Sequence, residues 1–85
     1  MREEFLIELG FERHDVSAEE SGDYAFYYYT MDFGDLCLIS NSDDEAITDL
    51  GWSVEIFDYQ SLRFTNEEDL KNLVDIFKRN IKTSI

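Results

Sequence analysis

The sequence predicts an α+β fold: an N-terminal helix, an antiparallel sheet of three to five strands, and a C-terminal helix packed on one sheet face. Three observations carry this prediction. The run from Tyr24 to Met31 is dense in aromatic residues and bounded by Gly22-Asp23 and Asp32-Phe33-Gly34, as a strand between turns should be. Residues Trp52 to Phe57 alternate, with Trp52, Val54 and Ile56 on one side and Ser53, Glu55 and Phe57 on the other. Leu70, Leu73, Val74, Phe77 and Ile81 recur at helical spacing and form a single apolar stripe.

Taken in order, residues 2–9 read as a short helix with Phe5, Leu6 and Leu9 on one face. Gly10 stands where a left-handed C-terminal cap belongs, and apolar Phe11 follows it. A short strand fits Phe11 to His14, and a polar loop then runs through Ser21-Gly22. After the aromatic strand, Asp32-Phe33-Gly34 reads as a hairpin turn into a strand over Asp35–Ser40. An acidic connection follows from Asn41 and closes at Gly51. Beyond Trp52–Phe57, a turn over Asp58–Ser61 leads to a last strand, Leu62–Phe64. Thr65 with Glu68 matches a capping box for the second helix. Glu67, Glu68 and Asp69 then suit the positive end of its dipole, and Lys78, Arg79 and Lys82 the negative end.

The chain has 85 residues, which is one domain's worth, 1–85, with no repeat and no linker. Apolar and aromatic residues make up 44%, enough to offset the ordering entropy without disulfides or metals, and proline is absent. Cys37 is the lone cysteine, so no intrachain disulfide can form. Met1-Arg2-Glu3-Glu4 places carboxylates where a secretion signal needs a basic region, and no apolar run reaches membrane-spanning length. A cytoplasmic location is the expectation.

Charge is the outlying property: 20 acidic residues against 7 basic ones give a net charge of −13. No lysine or arginine occurs between His14 and Leu62. That span holds Asp15, Glu19, Glu20, Asp23, Asp32, Asp35, Asp43, Asp44, Glu45, Asp49, Glu55 and Asp58. Such a field favours basic partners and works against nucleic acid and anionic membranes.

The residue inventory argues against most chemistry. With a single histidine, His14, and a single cysteine, a structural zinc site lacks ligands. Cys37 sits in the apolar run Leu36-Cys37-Leu38-Ile39, which reads as a buried, inert thiol. Around Asn41, Asp43, Asp44 and Glu45 the calcium-loop pattern fails, because its sixth position falls on Ala46 or Thr48 and its twelfth on Trp52 or Val54. The acids mark no particular acid–base pair. Asp32-Phe33-Gly34 matches a kinase metal-binding triplet by accident, since no glycine-rich loop accompanies it. Base stacking on the tyrosine strand would need a basic groove, and its surroundings are acidic. A small hydrolase or a cation-dependent enzyme therefore has no constellation to support it, and no cofactor is expected.

Binding through an acidic, tyrosine-rich surface remains. Alternate residues on a strand sit about 6.5 Å apart, a spacing at which carboxylates can meet the arginines and lysines of a nucleic-acid channel. The residues expected to contact such a partner are Tyr27, Tyr29, Asp32, Asp35, Asp43, Asp44, Glu45 and Asp49. In size, acidity and mix of elements the chain resembles the small phage-encoded inhibitors of bacterial defence, the anti-CRISPR proteins among them. The resemblance carries no shared motif. It implies a non-enzymatic inhibitor of a basic protein, such as a nuclease or its guide-binding surface, with no direct contact to nucleic acid or membrane. The alternative is an intracellular adaptor, an immunity-type protein, or a homodimer that buries the second sheet face. Because like charges oppose compaction, the melting temperature should rise with added salt, most steeply below about 0.1–0.2 M. A flat or falling dependence in a thermal melt series would show that the acids are already compensated.

Overall fold

The computed structural model describes residues 1–49 and 51–80. Helix α1 (Glu3–Leu9) leads to strand β1 (Glu12–Val16), a single helical turn α2 (Ala18–Ser21), and the long strand β2 (Phe26–Phe33). Strand β3 (Leu36–Ser40), helix α3 (Asp43–Thr48), strands β4 (Val54–Ile56) and β5 (Tyr59–Phe64), and helix α4 (Glu67–Asn80) complete the order. The five strands form one antiparallel meander in sequence order, β1-β2-β3-β4-β5. The predicted fold class is the observed one.

Register decides which side chains are inside. Met31 lies opposite Leu38, Leu38 opposite Ile56, Ser40 opposite Val54, and Val54 opposite Phe64, so these residues share a face. Both α1 and α4 cover that face: Leu6, Leu70 and Val74 form one cluster with Phe11, Tyr29, Leu38 and Val54. Trp52, Ile56, Leu73 and Phe77 pack around it, and the Phe77 ring meets Phe33 edge-on at 5.2 Å between centroids. The apolar stripe of α4 thus packs against Trp52, Val54 and Ile56 as its spacing predicts. Ile81 and Lys82, assigned to the same helix from sequence, lie outside the described residues.

Gly10 ends α1 at φ +102°, and its N–H and that of Phe11 return to the Ile7 and Leu6 carbonyls. This backbone region is strained for any residue with a Cβ, which is why the glycine cap is legible in sequence.

Several boundaries differ from the expectation. Strand β1 begins after Phe11 and runs on to Val16, because its whole length pairs with β2. The loop after it contains α2, whose start Ser17 caps by accepting from the Glu20 N–H at 3.2 Å. The β2–β3 turn is Gly34-Asp35, with Phe33 and Leu36 paired on either side. The acidic connection holds α3, with the Glu45 carboxylate accepting from the Ser42 N–H at 3.1 Å as in a capping box. The β4–β5 turn is Phe57-Asp58, not Asp58–Ser61, since Asp58 takes φ +68° and Tyr59 already pairs with Ile56. At α4 the cap is Asn66 rather than Thr65: its Oδ1 accepts from the N–H groups of Glu68 at 2.8 Å and Asp69 at 3.1 Å.

Among the helix residues on the stripe, Leu70 and Val74 are fully buried while Leu73 and Phe77 lie at the margin of the core. Leu70→Ala should therefore destabilise by about 2–5 kcal/mol, and Leu73→Ala by less. Denaturant unfolding of the two variants checks the order, and a Leu70→Ala loss no larger than that of Leu73→Ala would contradict this core.

Candidate functional site

The aromatic strand presents two different surfaces. Tyr27, Tyr29, Met31 and Phe33 point to the helices, and Tyr29 is only 2% exposed. Its hydroxyl donates to Glu3 Oε2 at 2.6 Å and its backbone N–H donates to Ser40 Oγ at 2.8 Å. Burial first, and the Glu3 hydrogen bond second, push its phenol up to about 12. Tyr27 packs beside Trp52, donates its hydroxyl to Glu3 Oε1 at 3.3 Å, and carries the Arg13 guanidinium over its ring. Tyr29 is buried under the helices and offers no anchor to a partner, whereas Tyr27 is half-buried and lines a hollow of about 260 Å³ with Glu3, Asp43, Ile47 and Trp52. The parity was readable further along: Met31 and Phe33 continue the Tyr27/Tyr29 side, whereas polar Thr30 and Asp32 continue the other.

That other side, the outer face, has no α1 or α4 over it. Phe26 and Tyr28 project from β2, with Tyr24 just before it, and the rings follow one another at 6.3 and 6.4 Å between centroids. His14 on β1 extends the row by stacking on Tyr28 at 5.3 Å, while its Nε2 lies 2.7 Å from the Thr30 hydroxyl. Tyr24 is half exposed. Ile39, opposite Thr30 in the register, lies on the same face. These aromatic residues form the candidate site on the outer face, opposite the side that carries Tyr27 and Tyr29.

The carboxylates expected at the site fall into two groups. Asp32 and Asp35 are exposed at the β2–β3 turn, while Asp43, Asp44, Glu45 and Asp49 belong to α3 and its end. The length of β3, roughly 15 Å, separates the groups. Those of α3 also serve as local acceptors. Asp43 Oδ1 accepts from the Tyr27 N–H at 2.9 Å. Asp44 accepts from the Ser42 hydroxyl and from the Tyr24 hydroxyl, each at 2.6 Å, and in that order these hydrogen bonds hold its carboxyl below the usual range. Tyr24 is thereby tied to α3, and a groove of about 470 Å³ opens between its ring, Phe26, Tyr28, Ile39, Asp44 and Glu45. A second hollow of about 240 Å³ adjoins it at Ile39 and Glu45, with Asp49, Glu55 and Asp58 in its wall. There Arg63 donates to Glu55 at 2.9 and 3.1 Å.

The chemistry-bearing residues stay apart. Cys37 lies on β3 opposite Asp32, and burial, then a hydrogen bond with Asp32, raises its thiol to about 11. At neutral pH the thiol is protonated and a poor nucleophile. His14 stands on β1, with β2 between the two residues. Among the described residues no three His, Cys, Asp or Glu side chains are grouped to hold a metal ion, and no helix is long and apolar enough to cross a membrane. Comparison with protein-family models, curated proteins and solved structures finds no match to this chain. The fold and surface define it as an acidic α+β protein with one open, aromatic sheet face.

The buried phenol of Tyr29 sets an alkaline limit on stability. An unfolded tyrosine ionises near 10, whereas Tyr29 in the fold holds its proton to about 12. Its contribution is complete below pH ~10 and is lost as pH rises toward 12, because only the unfolded state then releases the proton. Denaturant unfolding across that range should show a falling stability, with a shallower slope in Tyr29→Phe. Equal slopes would remove Tyr29 from the account.

Proposed function

We propose that this protein is a non-enzymatic inhibitor that binds a basic, nucleic-acid-handling protein through the outer face of its sheet. The observation that carries the proposal is the row His14, Tyr28, Phe26 and Tyr24, left uncovered by the helices and bordered by the acidic helix α3. An aromatic centre with a charged rim is the composition of a protein-binding patch. The net charge of −13 steers such a patch toward cationic surfaces and away from nucleic acid and anionic membranes. Nucleases of bacterial defence, acting in the cytoplasm, are the partner class to which the resemblance in size and acidity points. The separation of Cys37 from His14 and the lack of a marked acid–base pair support a role in binding without turnover.

The test starts by capturing partners on the immobilised protein from a nuclease-treated bacterial lysate, followed by kinetics with the purified partner. An oligonucleotide bound by that partner should compete with this protein. Tyr28→Ala should speed dissociation at least about tenfold, roughly 1.4 kcal/mol. Absence of competition, or a dissociation rate indifferent to Tyr28, would sink the proposal.

A further inference from the structure

The molecule contains, within itself, a worked arrangement for holding a guanidinium group. Arg13 lies with its guanidinium carbon 3.7 Å from the centre of the Tyr27 ring, while Nε and Nη2 donate to Asp15 Oδ1 at 3.0 and 2.9 Å. An aromatic face supplies the stacking surface and a neighbouring carboxylate the hydrogen-bond acceptor. The outer groove repeats both parts. Tyr24, Phe26 and Tyr28 offer ring surface, Asp44 and Glu45 stand beside them, and among the described residues no lysine or arginine lines the groove.

The carboxylates there have acceptor capacity left. Each Asp44 oxygen takes one hydroxyl donor, from Ser42 or Tyr24, and a carboxylate oxygen can accept two. Glu45 takes the Ser42 N–H on Oε1, which shares the single Ser42 hydroxyl proton with Asp44, so among the described residues its Oε2 is free for a further bond. The Tyr24 hydroxyl, by donating to Asp44, fixes the distance between the ring and the acid, so the two halves of the cradle are held together before anything binds.

We infer that this groove takes an arginine side chain, so that the partner presents arginine rather than lysine at its contact point. The inference rests on the binding reading above and narrows it. A guanidinium is planar, weakly hydrated and forked, so it can lie on a ring and donate sideways to a carboxylate at once. A lysine ammonium is compact and strongly hydrated, and it gains only the charge attraction that any part of this acidic surface supplies. The volume, about 470 Å³, falls within the range of sites that hold a small group.

The probes are peptides of nine arginines and of nine lysines, titrated into the protein at about 0.15 M salt and followed by fluorescence anisotropy. Equal formal charge cancels the non-specific attraction, so the ratio of the two affinities reads the groove. The arginine peptide should bind about tenfold tighter, and amide NMR shifts should concentrate at residues 24–28, 39 and 44–45. Tyr28→Ala should bring the ratio to within about twofold while changing the lysine affinity little, and Tyr28→Phe should keep it. Thermal melts of both variants show that the fold is retained, and Phe26→Ala serves as a second ring deletion. Equal affinity for the two peptides, or an arginine preference that survives both ring deletions, would overturn the arginine inference and leave the charge-based reading standing. No binding of either peptide would overturn the charge-based reading as well.

Discussion

Helices α1 and α4 both pack on the same face of the five-stranded sheet. The rest of the structure follows from that choice. Strand β2 is aromatic on both sides, so covering one side commits Tyr27, Tyr29 and Phe33 to the core and leaves Phe26 and Tyr28 in contact with water. A sheet of this kind usually shows polar residues on its wet face. Here the wet face keeps a row of rings, which the fold itself does not require. That surplus is what directs the functional reading to the outer face.

The acids are less uniform than a net charge suggests. Asp43, Glu45 and Glu67 accept from the backbone N–H groups of Tyr27, Ser42 and Arg2, so each serves a main-chain donor that regular structure leaves over. Glu3 joins α1 to β2 by taking both core phenols. Arg2, Arg13 and Arg63 are tied to Glu67, Asp15 and Glu55 in surface pairs, which add little to stability but leave those cations committed. The remaining carboxylates then set the field that a partner meets, and the sequence alone does not separate these two kinds of acid.

The long elements were legible because their patterns are strong. The α4 stripe, the alternation of Trp52, Val54 and Ile56, and the Gly10 cap each express a backbone period or a steric rule. Helix α3 was hidden because it buries one side chain, Ala46, and owes its boundaries to hydrogen bonds from Ser42. Asn66 is masked in the sequence by Thr65, one position earlier, which with Glu68 satisfies the capping-box pattern. At the candidate site the strand is legible in the sequence and its parity is not. Tyrosine occurs on both of its sides, and only the residues past Tyr29, apolar at 31 and 33 and polar at 30 and 32, break the tie.

The meander also leaves two strand edges, and they are guarded differently. Strand β1 carries Glu12, Arg13 and Asp15 along its edge, charges that discourage pairing with another chain. Strand β5 has Arg63 as its one charge, and Tyr59 and Leu62 are exposed beside the exposed Phe57 at the preceding turn. The net charge of −13 makes whole molecules repel one another and so adds protection that this edge itself lacks. That protection is a property of the solution as much as of the strand. As pH falls toward the isoelectric point near 4.1, that repulsion fades, and β5 is then the less guarded of the two edges.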